Sequence, residues 1–301
     1  MAGASLTTVA VTALGPAIWG TTYVVTTELL PPGRPILAAA LRALPAGLLL
    51  TAIGGRLPTA GWRAKTVLLG SLNFALFFTL LFTAAYRLPG GVAATLGAAQ
   101  PLIVTLAGAL VLGRIPSRTS VAAAVAGMGG VALVVLGPAA ALDALGTAAG
   151  LGGAVSMAMG TLLVQRFGRP VPLAAFAGWQ LLAGGVLLVP VALVVEGVPR
   201  SLSAANVAGY AYLAVLGGIV AYLLWFRGIE RLGASSAAFL ALLSPVVATV
   251  VSFVQGASLT AVQVLGMAVV FGSVAVGTRA GAAATARTRR RRAVLHRPVT
   301  P

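Results

Sequence analysis

Long apolar stretches separated by short polar connections make up almost the whole chain. An α-helix of about 20 residues crosses the ~30 Å hydrocarbon core of a bilayer, and each stretch is about that long. The alternating pattern of a transmembrane barrel strand is absent, so helices are the predicted spanning elements. The pattern predicts an all-α integral membrane protein with ten transmembrane helices, at residues 5–26, 35–54, 66–86, 91–112, 119–137, 147–166, 173–195, 206–226, 234–255 and 260–279.

These helices fall into two sets of five, because the sequence around Pro101 recurs 144 residues later around Pro245. Further pairs at this offset are Phe82 and Phe226, Arg87 and Arg231, Leu88 and Leu232, Ala93 and Ala237, Ala94 and Ala238, Leu96 and Leu240, and Thr105 and Thr249. A five-helix unit ends on the opposite side of the membrane from its start, so the second copy is inserted upside down. We therefore predict two inverted five-helix repeats, residues 1–137 and 147–279, and a disordered basic cytoplasmic tail, residues 280–301. Inverted repeats around a shared site are the usual plan of secondary transporters.

Composition supports a membrane protein and excludes several kinds of site. Hydrophobic residues make up 59% of the chain and charged residues 8%, with a mean hydropathy of +1.03, whereas a soluble domain carries about 25% charged residues. The chain has no cysteine, which excludes disulfides, thiolate metal sites and cysteine nucleophiles. The single histidine, His296, lies in the tail, so no histidine-based triad or metal site is expected in the membrane region. No cofactor is expected.

The placement of basic residues predicts the orientation. With ten spans, 16 of the 20 Lys and Arg residues fall on the side of the N-terminus: Arg56, Arg63, Lys65, Arg114, Arg118, Arg166, Arg169, Arg227, Arg231, Arg279, Arg287, Arg289, Arg290, Arg291, Arg292 and Arg297. Arg34, Arg87 and Arg200 fall on the other side, and Arg42 lies within a span. Because short cytoplasmic loops carry an excess of basic residues, both termini are predicted to be cytoplasmic, in the plasma membrane.

The net charge of +16 would suggest nucleic-acid binding in a soluble protein. Here the arginine-rich tail follows a membrane span, where each basic residue gains about 1 kcal/mol beside anionic lipid. The predicted partners are therefore membrane lipids and a small-molecule substrate, with no nucleic acid. Oligomeric state is not predicted.

Several short segments resemble a known family. These are Ile18-Trp19-Gly20-Thr21-Thr22-Tyr23, Leu41-Arg42-Ala43, Ala84-Ala85-Tyr86-Arg87-Leu88, Trp179-Gln180-Leu181-Leu182-Ala183-Gly184, and the prolines Pro101 and Pro245. In this order, over residues 10–278, they resemble the EamA family of the drug/metabolite transporter superfamily. Residues 26–32 and 41–47 are most similar to its PecM-like subgroup, linked to pigment export. The resemblance implies ten helices around a central cavity, open alternately to each side, and export of amino acids or other small metabolites.

Two positions depart from the family pattern. The family often has Gly-Glu at the end of the fourth span and near the end of the ninth. This chain has Gly113-Arg114 and Gly256-Ala257 instead. A gating or coupling role for those glutamates therefore does not carry over.

Polar and aromatic residues near mid-membrane are the candidate substrate-binding residues: Trp19, Tyr23, Arg42, Asn73, Gln100, Trp179, Gln180, Tyr222, Trp225 and Ser244. An unpaired amide in hydrocarbon costs several kcal/mol, so the amides should face protein or a wet cavity. Hydrogen bonding between helices is the alternative to substrate contact for each of them. The Trp and Tyr residues also suit an interfacial belt.

Arg42 is the most informative single candidate. A central arginine costs about 2.5–3.5 kcal/mol on insertion scales, and Arg42 lies roughly 12 Å inside its predicted span. One interpretation is an anion partner, such as a substrate carboxylate. The other is a clamp between helices, to backbone carbonyls or to an outer acid such as Glu28.

Pro101 and Pro245 are candidate hinges, because proline removes an intrahelical hydrogen bond and kinks a helix. Each follows a polar residue, Gln100 or Ser244, so the duplication would place a polar group beside freed backbone in both halves. The alternative is a kink that serves packing alone.

The four acidic residues lie in loops or at span ends, so no buried carboxylate relay for protons is predicted. This favours facilitated diffusion or exchange, with coupling through Glu28 or Glu230 left open. The leading hypothesis is a non-enzymatic metabolite exporter. A lipid-acting membrane enzyme would need a nucleophile, acid/base or metal cluster at depth, and a receptor or structural role is a third alternative.

Overall fold

The computed structural model describes residues 6–88, 93, 96–113, 115–135, 143–199, 201–256 and 260–295. The regular elements in these ranges are all helical. They are α1 (Leu6–Gly20), α2 (Thr22–Leu29), α3 (Pro35–Gly54), α4 (Ala60–Gly70), α5 (Phe77–Arg87), α6 (Gln100–Leu112), α7 (Arg118–Val135), α8 (Ala144–Phe167), α9 (Leu173–Val195), α10 (Ala204–Tyr212), α11 (Ala221–Leu232), α12 (Ala234–Leu240), α13 (Leu243–Val254) and α14 (Ala261–Leu295). Two π-helical segments, Ser71–Leu76 and Leu213–Val220, join α4 to α5 and α10 to α11.

Eight helical segments in the described ranges are long and apolar enough to cross a membrane. They are Leu6–Leu29, Pro35–Gly54, Ala60–Arg87, Ala144–Phe167, Leu173–Val195, Ala204–Leu232, Ala234–Val251 and Ala261–Ala283. The remaining two predicted spans, the fourth and fifth, contain the shorter apolar helices Gln100–Leu112 and Arg118–Val134, in a part of the chain where residues 94–95, 114 and 136–142 lie outside the described ranges. The all-helical, multi-pass architecture is thus confirmed, while ten full spans in inverted repeats stay a prediction.

The last helix is longer than expected. Its backbone is helical from Ala261 to Leu295, so it continues into the segment 280–301, for which disorder was predicted. Residues 280–295 are mostly Ala and Arg, two of the strongest helix formers, and contain no Gly or Pro after Gly281 to end the helix. His296 lies outside the described residues.

The two π-helical segments occupy equivalent positions in the duplicated sequence. Adding the offset of 144 to Ser71–Leu76 gives residues 215–220, which fall within Leu213–Val220. A π-helical turn is rare and often marks a functional site, because it redirects backbone hydrogen bonds. The duplication therefore extends from residue identities to an unusual feature of the backbone.

Packing between helices is also symmetric when the halves are exchanged. Helices α3 and α9, in the second predicted spans of the two halves, pack extensively against each other, as do α7 and α14, in the fifth predicted spans. Helix α5 of the first half packs on α8 of the second half. The corresponding helices with the halves exchanged, α11 and α1, also pack on each other. The contacts thus interleave the two halves into one helical body.

The α3–α9 contact depends on small residues. A Cβ atom on Gly178 would lie 2.5 Å from the backbone N of Thr51, and one on Gly185 would lie 2.6 Å from Cα of Leu44. Glycine at these positions allows the two helix backbones to touch. This close seam fixes α3, and therefore Arg42, against the second half.

The sequence predicts that Pro101 and Pro245 kink continuous helices. In the structure each proline instead follows a break between two helices. Residues 98–99 form a turn before α6, and residues 241–242 form a turn between α12 and α13. Each proline then lies in the first turn of the next helix, where its missing N–H has no helical partner to lose. Helix breaks at nearly equivalent places in the two halves therefore replace the expected kinks, and the hinge role of the prolines stays a prediction.

Candidate functional site

A cavity of about 80 Å³ lies where the two halves meet. Its lining comes from both halves and consists of Trp19, Thr22, Arg42, Phe77, Leu81, Gly97, Gln100, Ala154, Met157, Ala241, Ser244 and Pro245. Four of the predicted site residues, Trp19, Arg42, Gln100 and Ser244, are thus brought together although they are far apart in sequence. The candidate hinge Pro245 also lines it, and Pro101 is buried next to Gln100.

Arg42 is the charged group of this cavity. Its side chain is buried, with 1% of its surface exposed. Nη1 donates to Thr22 Oγ1 over 3.3 Å, Nη2 donates to the carbonyl of Gly217 over 3.1 Å, and the guanidinium lies 4.6 Å from the ring centre of Phe78. Its Nε has no hydrogen-bond partner among the described residues. A charged donor therefore remains unused at the cavity.

The outer acid proposed as an alternative partner does not contact Arg42. Glu28 is exposed near the end of α2, where its carboxylate accepts a bond from Thr27. The contact to a backbone carbonyl, the other structural alternative, is present at Gly217. Arg42 thus has a structural role that leaves Nε without a partner among the described residues.

The π-helical segment makes the Gly217 carbonyl available. In an α-helix the N–H of Ala221 would bond to the oxygen of Gly217, but here it bonds to Leu216. The Gly217 oxygen instead accepts from Nε1 of Trp19, at 3.0 Å, and from Arg42. One carbonyl in the second half therefore positions two side chains of the first half.

Aromatic rings form a wall behind the cavity. Trp19 lies 4.8 Å from Tyr222 and 5.2 Å from Trp225, and Tyr222 lies 4.6 Å from Phe74, measured between ring centres. Tyr222 and Trp225 are fully buried, and neither the Tyr222 hydroxyl nor the Trp225 Nε1 has a partner among the described residues. Tyr222 and Trp225, both predicted site residues, therefore lie behind Trp19 and do not line the cavity.

Gln100 adds a second unused donor. It is buried, with 6% of its surface exposed, and its Nε2 has no partner in the described part of the chain. Ser244, half-buried, contributes a hydroxyl from the break in the second half. Since no acidic residue is among the lining residues, the cavity is electropositive and rich in N–H donors.

Four candidates lie elsewhere. Asn73 Nδ2 donates to Gln180 Oε1 over 3.0 Å, so this pair is an interhelical hydrogen bond, the alternative considered for it. Trp179 donates from Nε1 to the carbonyl of Arg56, at a separate cleft. Tyr23 is half-buried against a small apolar cluster that includes Leu88. None of the four is among the lining residues of the central cavity.

Several site residues were not identified from the sequence. Thr22, Phe77, Leu81 and Met157 line the cavity, and their types carry no functional signal in an apolar chain. Gly217 was also missed, although the repeat offers a clue. It is the equivalent, at the 144-residue offset, of Asn73, which was a candidate.

The four carboxylates lie at the periphery of the described structure. Glu196 accepts from the backbone N–H groups of Ile36 (2.7 Å) and Leu37 (2.8 Å), which ties the start of α3 to the end of α9. Asp143 lies 3.5 Å from Arg87, and Glu230 pairs with Arg169. The described residues contain no group of three or more Asp, Glu, His or Cys side chains suited to a metal ion.

Comparisons with known proteins show what this chain is similar to. The profile of the EamA-like transporter family matches twice, at residues 6–136 and 144–278. Protein PecM of Dickeya dadantii (strain 3937) is 42% identical over 266 residues, which are 87% of this chain and 89% of PecM. The uncharacterized inner membrane transporter YedA of Escherichia coli (strain K12) is 27% identical over 267 residues, 87% of each chain. A solved crystal structure with 21% identity overlays with a TM-score of 0.74, over 90% of this chain and 96% of the other. The resemblance expected from the sequence, including the likeness to PecM, is confirmed.

Proposed function

Because this chain belongs to the EamA-like transporter family, we propose that it exports a small organic metabolite across the membrane as a secondary transporter that works by alternating access. The observation that carries the proposal is the central cavity, which lies between the halves and combines a buried cation with an aromatic wall. Polar groups aimed into an apolar cavity are typical of a small-molecule site.

The donors favour a substrate with a carboxylate, such as an amino acid or another organic acid. Arg42 keeps Nε and Gln100 keeps Nε2 without protein partners among the described residues. An unmade hydrogen bond at a buried donor costs about 1–3 kcal/mol, more when the donor is charged. A carboxylate that accepts from these groups would recover that energy, and the Trp19 ring would pack against the apolar part of the substrate.

The symmetric build supports alternating access. Equivalent helix breaks precede Pro101 and Pro245, and equivalent π-helical segments interrupt the third span of each half. Two halves with the same interruptions have the same places to bend, and inverted halves would bend on opposite sides of the membrane. On the predicted topology both termini are cytoplasmic, and the protein is a multi-pass component of the inner membrane.

The transport mode that fits these residues is facilitated diffusion or exchange. No carboxylate lines the cavity in the described structure, so a proton relay at the substrate site has no obvious carrier. Glu28 and Glu230 are peripheral, and a coupling role for either would have to act through the ends of the helices.

Flux in sealed vesicles tests the proposal. Purified full-length protein is reconstituted into proteoliposomes that are loaded in turn with labelled amino acids, other organic acids, dyes and pigments. We expect saturable efflux of a carboxylate-bearing compound, accelerated by the same compound outside, and none from protein-free vesicles. Binding without flux would instead favour a receptor, and chemical conversion of the compound would favour a membrane enzyme. Either result overturns the proposal.

A further inference from the structure

A second cavity, of about 450 Å³, lies at one end of the helical body. It is formed where α3 ends, α4 begins and the connection into α9 passes, and it shares no lining residue with the central cavity. Its lining residues are Arg56, Leu57, Thr59, Trp62, Pro170, Val171 and Trp179. This end carries the basic loops that the charge count assigns to the cytoplasmic side.

The surroundings of this cavity are positively charged. Arg56 lines it, and Arg63 and Lys65 lie within nine residues of Arg56. The segments 48–65 and 168–182 contain no acidic residue. Among the described residues none of the three cations forms an ion pair, whereas the neighbouring Arg169 is engaged by Glu230. These three basic residues therefore have no acidic partner among the described residues.

Aromatic residues shape the cavity. The Lys65 ammonium lies 4.9 Å from the ring centre of Trp62 and 5.3 Å from that of Phe167, which fixes a cation beside an apolar wall. Trp179 is buried, and its indole N–H holds the backbone carbonyl of Arg56. The Arg56 side chain is exposed and stays free to bind. Trp beside Arg and Lys is the combination found where a helix leaves the membrane.

An exposed apolar strip leads to the cavity along α3. Leu49 and Ile53 lie four residues apart on one face of α3 and are 49% and 66% exposed. Leu57, 74% exposed, follows in the connection after the helix and lines the cavity, so exposed apolar side chains continue from α3 to the cavity rim. A ligand with both an anionic head and an apolar chain fits this continuity.

We propose that this cavity is a specific site for an anionic phospholipid. Arg56 binds the phosphate of the head group, Arg63 and Lys65 add charge around it, and an acyl chain lies along Leu49 and Ile53. A free phosphate would use the same cations but not the apolar strip, so the two ligands are distinguishable. The inference is independent of the transported substrate.

Thermal stability in defined lipid tests the site. Full-length protein in nanodiscs of phosphatidylcholine is compared with protein in nanodiscs with increasing phosphatidylglycerol, by the temperature of unfolding. We expect a saturable upward shift with phosphatidylglycerol. Arg56→Gln should raise the half-saturating fraction of phosphatidylglycerol about fivefold, the loss of about one cation contact, and Arg56→Lys should keep most of the effect.

Arg118→Gln is the matched control, because Arg118 is another exposed basic residue of the predicted cytoplasmic side and does not line the cavity. It should leave the half-saturating fraction unchanged. An equal effect of the two glutamine variants would reduce the site to diffuse surface charge. Equal stabilisation by phosphatidylcholine, or stabilisation of detergent-solubilised protein by inorganic phosphate alone, would also overturn the proposal. Even if a variant does not fold, the comparison of wild-type protein in the two lipids tests whether phosphatidylglycerol stabilises the protein.

Discussion

Arg42 holds a positive charge inside the helical body with only part of its hydrogen-bonding capacity in use. Its insertion costs about 2.5–3.5 kcal/mol, while each hydrogen bond to a charged group returns about 1.5–3 kcal/mol. The free-energy cost of inserting Arg42 is therefore offset by its hydrogen bonds to Thr22 and Gly217 and by its contact with the Phe78 ring. They leave Nε without a partner in the described structure, and a substrate carboxylate would accept a hydrogen bond from that N–H.

Arg42→Leu should reduce kcat/KM for a carboxylate substrate about tenfold to hundredfold, because one charge-assisted bond to the substrate is lost. Flux of a neutral analogue, such as the corresponding amide, should fall much less. Arg42→Lys should restore transport only in part, since a point charge cannot replace the guanidinium fork. The measurement is initial flux in proteoliposomes at matched protein content.

Equal losses for the charged and neutral compounds would assign Arg42 to packing alone. Wild-type flux in the leucine variant would lead to the same conclusion. Membrane insertion serves as the control in both cases and should be unchanged.

Gly217→Ala should raise KM severalfold without loss of folding. The added Cβ would lie 3.1 Å from Nη2 and 3.2 Å from Cζ of Arg42, so the guanidinium must move by a few tenths of an ångström. Small displacements of a positioning group weaken binding steeply. Gly272→Ala is the control, since a Cβ there meets no atom within 4 Å. Unchanged KM in Gly217→Ala would show that Arg42 does not need its observed position.

At the scale of helices, the breaks before Pro101 and Pro245 interrupt the fourth and ninth predicted spans. Proline suits the first turn of a helix but resists continuation of the preceding one. The residues just before the prolines, Gln100 and Ser244, line the cavity. The breaks thus place two polar lining residues of the cavity just after interruptions in two predicted spans.

Pro101→Ala and Pro245→Ala should each slow transport without unfolding the protein, because alanine allows the helix to continue through the break. If the halves are inverted, the two variants should bias the cavity towards opposite sides of the membrane. The chain has no native cysteine, so single thiols near Gln100 and Ser244 can be labelled from each side. Labelling rates should change in opposite senses in the two variants.

Normal transport in both variants, or a shift of labelling in the same sense, would contradict the hinge role. The thiol-bearing parent with both prolines intact is the control for each measurement.

Element positions were largely predictable, whereas several backbone details were not. Apolar stretches mark spans because hydrocarbon requires both apolar side chains and internally bonded backbone. The freed carbonyl at Gly217 depends on π-helical bonding, which side-chain periodicity does not report. The Gly178 and Gly185 contacts likewise depend on which helix faces which, and a stretch rich in small residues does not specify its partner.

The lining of the candidate site was predictable in part for a similar reason. Arg42 and Gln100 are conspicuous because polar groups are costly at that depth. Thr22 and Met157 are ordinary residues whose role follows only from their position at the cavity. Asn73 and Gln180 were equally conspicuous, yet they satisfy each other, and only the structure distinguishes a paired amide from one that faces a cavity.

At the scale of the whole molecule, one end is held by contacts between the halves. Arg34 donates to the carbonyls of Glu196 (2.8 Å) and Gly197 (2.9 Å), and Asn206 donates to that of Leu29 (2.8 Å). On the predicted topology this is the outer end. If the cavity opens to that side, as the proposed mechanism requires, these bonds would have to break.

The orientation of the whole chain is the last prediction. With ten spans, 16 of 20 basic residues lie on one side, and short loops with excess Lys and Arg remain cytoplasmic. A reporter active only outside should therefore work after Ala140 and fail after Arg297, and a cytoplasm-dependent reporter should do the reverse. Fusion after Gly168, in another predicted cytoplasmic connection, is the matched control for the Arg297 result. Outward reporters after both Ala140 and Arg297 would require an even number of spans between these two points. The two halves would then no longer be inverted copies, and alternating access by opposed halves would lose its structural basis.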